Sequence, residues 1–294
     1  MAVAVIPRED LPSAPVVGVA KRARGVPLMV ILAFGFLLLV VLLACFGGML
    51  FPGSPTAQSL FATERPPSAT YWFGTDDLGR DVFVRVIAGC QTALIGPSLI
   101  AASGLAISSV LGIAAGYLGG AVDIVISRIV DFMFSLPGLL IAIVVVAVVG
   151  GGYPTAVIVL SVLNVQGDIR IVRSAAVKQR PLPYVEAART IGIPAWKIMY
   201  RHILLNIAPI LIADLALDFG GALVALAGLA FLGLGAPPGS TEWGSLLAEG
   251  QGILFANPMA AIGPGLAIVL LSVSFSLIGD WIYERFARSG QRGE

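Results

Sequence analysis

The chain has 294 residues, of which 57% are hydrophobic and only 12% charged, with a formal net charge of +1 and a mean hydropathy of +0.95. Soluble domains carry about 25% charged residues, so this composition argues against a soluble globular domain, and no basic stripe with interleaved aromatics marks a nucleic-acid surface. The length accommodates several membrane spans of roughly 20 apolar residues each.

In chain order, a tail over residues 1–26 mixes Pro, Ala and Val without periodicity and reads as a segment without packed structure. Lys21, Arg22 and Arg24 precede the first apolar run, which extends from about Pro27 to Leu50. That run exceeds the roughly 7–15 residues of a signal-peptide core and reads as a retained span. Further spans are expected from Val86 to Tyr117, from Val122 to Val149 with a break at Pro137 and Gly138, and from Thr155 to Val172. The last of these is the weakest, because Asn164, Gln166, Gly167 and Asp168 interrupt it. A fifth runs from Ile207 to Leu234 and a sixth from Ala261 to Ile282, followed by a short tail over 289–294. The predicted fold class is therefore all-α, a polytopic membrane protein with six transmembrane helices in a domain over 27–288. Cys45 and Cys90 lie in or beside apolar runs without metal-ligand spacing and read as packing residues, with a disulfide as the alternative.

Basic residues orient these spans. With both termini inside, the inner segments hold Arg8, Lys21, Arg22, Arg24, Arg128, Arg170, Arg173, Lys178, Arg180, Arg189, Lys197, Arg201, Arg285, Arg288 and Arg292. The outer ones hold Arg65, Arg80 and Arg85. That is 15 against 3 of the 18 basic residues.

Several features suggest chemistry. Gly104, Ser108, Gly112, Gly116 and Gly120 form a ladder at every fourth position, a small-residue face on which helix backbones approach closely in lipid. It serves packing within the subunit or a seam with a partner. Pro137, Pro154 and Pro209 fall at or within spans and remove backbone donors. Asp214 and Asp218 lie four residues apart in the fifth span; intramembrane carboxylates face a cavity or a partner, so they are candidates for lining a translocation path, or else a structural pair. His202 is the lone histidine. None of the three lysines follows a glycine, so no phosphate-cradling P-loop exists, and no Gly-x-Ser-x-Gly elbow or His-based triad is present. No catalytic residue, cofactor or metal site is expected in this chain.

Between the fourth and fifth spans lies a polar, helix-compatible insert over about residues 176–206. Within it Glu186-Ala187-Ala188, then Gly192 after a three-residue gap, resemble the EAA loop of bacterial ABC importer permeases. Three further stretches resemble the peptide/nickel (Dpp/Opp) class of that family, and specifically its C-type subunit. The first is Phe73-Gly74-Thr75-Asp76-Asp77-Leu78-Gly79-Arg80-Asp81-Val82. The second is Gly228 to Gly235 with Pro237-Pro238 and Glu242-Trp243-Gly244, and the third is Gly263 to Leu270 leading to Leu277-Ile278-Gly279-Asp280. All four stand in the family order over about residues 30–288.

The resemblance implies a type I ABC importer permease fold in the bacterial cytoplasmic membrane, multi-pass, with both termini cytoplasmic. It implies a non-catalytic subunit translocating di- or oligopeptides, with nickel chelates, glutathione or haem-like solutes as alternatives. Implied partners are a second homologous permease subunit (DppB/OppB-like), two ATPase domains that bind ATP and Mg, an extracytoplasmic substrate-binding protein and membrane lipid. Glu186, Ala187, Ala188, Gly192, Ile193, Pro194 and Trp196 are the implied coupling residues; the outer-loop motif is Gly74, Thr75, Asp76, Asp77, Gly79, Arg80 and Asp81. Where relatives often carry Glu, this chain has Leu226, and Leu205 stands where the family loop usually reaches proline.

The residues themselves allow other statements. Thr75 or Asp76 can cap the helix entering the second span; the Asp76, Asp77, Gly79, Asp81 cluster could alternatively bind calcium, though it lacks EF-hand spacing. Glu242 and Trp243 suit an outer interfacial loop. Glu186 suits the start of a helix, with Lys197 and Arg201 at its end. A proton-coupled carrier using Asp214 and Asp218 is the competing class, as is a receptor-like membrane subunit, but no inverted repeat of the kind such carriers show is visible.

Overall fold

A computed structural model describes residues 26–237 and 239–290, with side chains placed through residue 286. The expected tails at 1–26 and 289–294 fall almost wholly outside the described residues, as do Lys21, Arg22, Arg24 and Arg292. Among the described residues the protein is all-α, with one isolated bridge between Thr75 and Asp81.

Helix α1 (Leu28–Leu50) is apolar on every side and buries only Val30, Ala33, Val40 and Gly47; a helix of that pattern meets lipid around most of its circumference. After a strap over residues 51–81 comes α2 (Val82–Leu118). At 37 residues it is roughly 55 Å long, well beyond a hydrocarbon core of about 30 Å. Helices α3 (Gly120–Phe134) and α4 (Gly138–Val149) follow, bent by 79° at the intervening break. Pro137 sits immediately before α4, where its missing donor costs nothing. Next come α5 (Tyr153–Gln179), the short α6 (Pro183–Thr190), a single turn α7 (Ala195–Lys197), a π-helical turn (Ile198–Ile203), α8 (Leu204–Phe231), α9 (Trp243–Gly252) and α10 (Met259–Gly290).

Five helical stretches are long and apolar enough to cross a membrane, and the bent α3–α4 pair makes a sixth crossing if taken as one. That matches the six expected spans, with different ends. The expected fourth span stops at Val172, but α5 continues to Gln179, because Arg170 and Arg173 find partners on α3. Arg170 donates to Asp131 at 2.8 Å and Arg173 to Asp123 at 2.5 and 2.7 Å. The fifth starts not at Ile207 but at Ala195, since α7, the π turn and α8 form one continuous helix to Phe231. Cys45 and Cys90 are both free.

The two ends of the bundle are distinct. Phe34 near the start of α1 meets Trp281 near the end of α10, centroids 6.2 Å apart. At the opposite end Phe51 meets Phe83 at 5.1 Å, and the Gly152 N–H donates to the Leu234 carbonyl at 3.3 Å. One end therefore gathers the start of α1, the end of α10 and α6; the other gathers the strap, the end of α4 and α9. Among the described residues α2 packs most extensively against α5, and the glycine ladder explains it. A Cβ on Gly112 would lie 2.8 Å from the Val172 Cβ, and one on Gly116 would lie 2.7 Å from the Ala176 Cβ. Through Gly116 the ladder is thus a seam within the subunit; Gly120, with nothing nearby, starts α3 instead.

Candidate functional site

Helix α6 is held from below and free above. Val185 and Ala188 are buried in a cluster built from Ile113 and Tyr117 of α2, Val172 and Ala176 of α5, and Ile198, Met199 and Ile203 of the π turn. The over-long ends of α2 and α5 are what supply that floor. Polar contacts pin the same face: Arg189 Nε donates to the Tyr117 hydroxyl at 3.1 Å, with its guanidinium 4.8 Å above the ring, and the Tyr184 hydroxyl bonds Gln179 Oε1 at 2.7 Å.

The helix then stops for a definite reason. The Gly192 N–H donates to the Arg189 carbonyl at 2.9 Å and the Ile193 N–H to the Ala188 carbonyl at 3.0 Å. With Gly192 at φ +78° these are the two bonds of a Schellman stop, in which glycine takes the left-handed position without a Cβ penalty. Ile193 packs back into the cluster below. Glu186, Ala187, Ile191, Gly192 and Pro194 face outward. The seven sequence-predicted coupling residues therefore divide: Ala188 and Ile193 hold the platform, Glu186, Ala187, Gly192 and Pro194 are presented on it, and Trp196 lies past the stop. Because α6 ends at Thr190, Lys197 and Arg201 belong to the next helix and do not sit at the C-terminal end of α6 as expected.

A second constellation lies inside the bundle. Carboxylate oxygens of Asp168 on α5 and of Asp214 and Asp218 on α8 lie within 4.8 Å of one another. Asp168 is only 4% exposed, and among the described residues none of the three enters an ion pair. The expected pair is thus a triad. Its third member registers in the sequence only as a flaw in the fourth span. Gly104 makes room for it, since a Cβ there would meet Asp168 Oδ2.

The outer-loop motif forms a clasp. Asp76 Oδ2 accepts from Arg80 Nε and Arg85 Nη1, both at 2.6 Å, and Oδ1 from the backbone N–H groups of Leu78 and Arg80. Glu249 of α9 takes the same two guanidinium groups, at 2.9 Å from Arg80 and 2.5 Å from Arg85. Arg85 Nη2 also donates to the Ser240 carbonyl at 2.8 Å. Gly79, at φ +70°, lies against the Ser59 carbonyl and leaves no space for a Cβ. Asp77 faces solvent, its carboxylate 3.6 Å from Arg80, and Gly74 (φ +71°) lies against the Arg65 carbonyl and Asn257. With Asp76 engaged by two guanidinium groups, the motif forms an ion-pair clasp.

Two expectations here are corrected. The cap of α2 is neither Thr75 nor Asp76 but Asp81, which accepts from the Phe83 and Val84 N–H groups at 2.9 and 3.3 Å. Burial pushes its carboxyl pKa up and those two amides hold it down in part. Thr75 instead donates to the Ala62 carbonyl and accepts from the Arg65 N–H, tying the strap to itself. Nor do Glu242 and Trp243 present their side chains at the surface of a loop: Glu242 precedes α9, Trp243 opens it, and both are buried. Trp243 is buried with Nε1 donating to the Val86 carbonyl at 2.8 Å, and Glu242 turns inward to accept the Ala236 N–H at 2.9 Å. Burial raises the Glu242 pKa and that amide lowers it in part. Glu242 and Leu226 line the same cavity of about 20 Å³, so a carboxylate does reach the surroundings of Leu226, from the α9 side.

Residues 108–290 match the family described as binding-protein-dependent transport system inner membrane component. The chain belongs to this family. It is 38% identical, over 88% of its length and 87% of the relative, to a probable D,D-dipeptide transport system permease protein of Escherichia coli (strain K12). It is 36% identical to a glutathione transport system permease protein of Pectobacterium atrosepticum, over 83% of this chain and 82% of the relative. A dipeptide transport system permease protein of Alkalihalophilus pseudofirmus shares 35% identity over 82% of this chain and 79% of that one. The protein is accordingly a multi-span permease subunit of an ABC importer, a non-catalytic inner-membrane component of a system with ATPase and binding-protein partners. A proton-coupled carrier and a receptor-like subunit are set aside by the same matches.

Proposed function

We propose that this permease carries short peptides, and that α6 with its Gly192 turn is the joint through which ATPase subunits drive it. Three relatives whose names specify a D,D-dipeptide, a dipeptide and glutathione support a short-peptide substrate. The joint rests on one observation above others: α6 stands on the extended ends of α2 and α5, so force on its exposed face passes directly into two membrane helices. ATP and Mg belong to the ATPase partners, and a second homologous permease completes the pore. The 15-to-3 division of basic residues supports a cytoplasmic α6 and cytoplasmic termini, with the strap and α9 turned toward the binding protein.

The deciding experiment reconstitutes the assembled importer in lipid and follows ATP hydrolysis and labelled dipeptide uptake. Gly192→Arg forces an L-residue into the left-handed region, at about 1–2 kcal/mol, and places a bulky cation on the presented surface. Together with Glu186→Lys it is expected to lower both activities at least about tenfold, a loss of about 1.4 kcal/mol in coupling, in complexes that still assemble. Normal ATP-dependent uptake in both variants rules the joint out.

Asp168, Asp214 and Asp218 are proposed to line the path, where a cluster of carboxyl oxygens suits the ammonium terminus of a peptide. Asp218→Asn is expected to reduce dipeptide uptake several-fold while basal ATP hydrolysis persists. Unchanged uptake would make the triad structural only.

A further inference from the structure

The helix that follows α6 has two unlike faces. Ile198, Met199 and Ile203 are buried in the cluster beneath α6. The other face presents Trp196, Lys197, Tyr200, Arg201 and Leu205, which line a groove of about 450 Å³. Trp196 is 59% and Leu205 66% exposed. The π turn over Ile198–Ile203, with its wider i→i+5 bonding, brings residues four and five apart into one file, which is why 196, 200, 201 and 205 align. No carboxylate lines the groove. Among the described residues neither Lys197 nor Arg201 has an ion-pair partner, and Lys197 Nζ rests 5.4 Å over its neighbour Trp196.

We propose that this groove binds the headgroup of an anionic phospholipid, its phosphate held between Lys197 and Arg201. Charge complementarity selects the ligand: two cations without a counter-charge among the described residues stand on an apolar and aromatic floor. Depth agrees with it. The helix runs unbroken for 37 residues from Ala195, roughly 55 Å, so its first turns stand outside a core of about 30 Å. Leu205, roughly 15 Å along from Ala195, then begins the acyl-chain zone. Trp and Tyr favour the boundary between these regions, and basic pockets beside membrane helices suit anionic headgroups. The inference rests on the membrane crossing and not on the ATPase joint. Gly192→Arg can therefore fail as a test of coupling while lipid retention holds, and the reverse.

The test is native mass spectrometry of the full importer, ATPase subunits included, released from nanodiscs of mixed phosphatidylglycerol and phosphatidylcholine. Wild type is expected to retain phosphatidylglycerol selectively. Lys197→Gln with Arg201→Gln lowers that retention about thirtyfold, each basic group contributing about 1 kcal/mol near an anionic surface. Lys197→Arg with Arg201→Lys preserves it. All four changes are at exposed side chains, and unchanged assembly in the same spectra confirms the fold. A photo-reactive phenylalanine analogue at Tyr200 is expected to cross-link lipid. Cross-linking to an ATPase subunit instead, or equal retention of both lipids, overturns the proposal.

Discussion

Replacing Arg85 by Met is expected to be among the most damaging single changes in this permease, although Arg85 touches neither the carboxylate triad nor α6. Its side chain is 1% exposed and joins three elements: Asp76 in the strap, Glu249 on α9 and the Ser240 carbonyl before α9. Removing one member of a buried ion-pair network leaves uncompensated charge and costs about 3–5 kcal/mol. The lower end applies here, since Arg80 still reaches both carboxylates and the Glu249 side chain is 23% exposed. At roughly 2–4 °C per kcal/mol for a chain of this size, the melting temperature of the purified subunit should fall by about 10 °C. Adding Glu249→Gln should recover part of that loss, because it removes the charge that Arg85 no longer balances. Surface pairs weaken with salt while buried ones are little screened, so wild-type melting should be nearly flat between 0.1 and 0.5 M salt. A variant that melts like wild type would mean that the strap and α9 are not held together by this clasp.

Much of this architecture is legible in the sequence because a bilayer imposes a simple rule. Long apolar runs must be helices, and the runs at 27–50, 86–117 and 261–282 announce themselves. Even the kink at Pro137 and Gly138 shows, because proline and glycine act locally. What escapes is set by contacts between distant residues. Asp168 reads as a weak point in a span; its meaning comes from Asp218, fifty positions later in the numbering, and from the absent Cβ of Gly104. Thr75 and Asp76 read as caps, yet α2 starts only at Val82 and its first free amides, those of Phe83 and Val84, bond the Asp81 carboxylate instead. Trp243 has the composition of an interfacial residue, yet the Val86 carbonyl gives its indole N–H a partner inside the protein. The α6 stop lies between these cases. Gly192 is visible as part of an EAA pattern, but its φ of +78°, with its N–H on the Arg189 carbonyl and the Ile193 N–H on the Ala188 carbonyl, turns the pattern into a physical requirement for glycine.

The seam between α2 and α5 connects that platform to the membrane, and Gly112 is where it can be broken most cleanly. A Cβ at this position would stand 2.8 Å from the Val172 Cβ, 2.9 Å from its Cγ1 and 3.0 Å from the Ile169 carbonyl. The last of these is backbone, so α5 itself must move. Overpacking of this kind costs about 1–3 kcal/mol even for one added methyl; Gly112→Ala should therefore lower the melting temperature by several degrees, and Gly112→Leu should prevent a monodisperse complex from forming. Gly35→Leu is the control, because nothing lies within 4 Å of a Cβ there. The informative variant is the milder one. Val172 also forms part of the floor beneath Val185 and Ala188, so displacing α5 at Gly112 tilts the platform on which α6 stands. Gly112→Ala complexes that assemble should then hydrolyse ATP yet take up less dipeptide per ATP than wild type. If their melting temperature falls while uptake per ATP is unchanged, the seam serves stability alone, and motion must reach the bundle through α8.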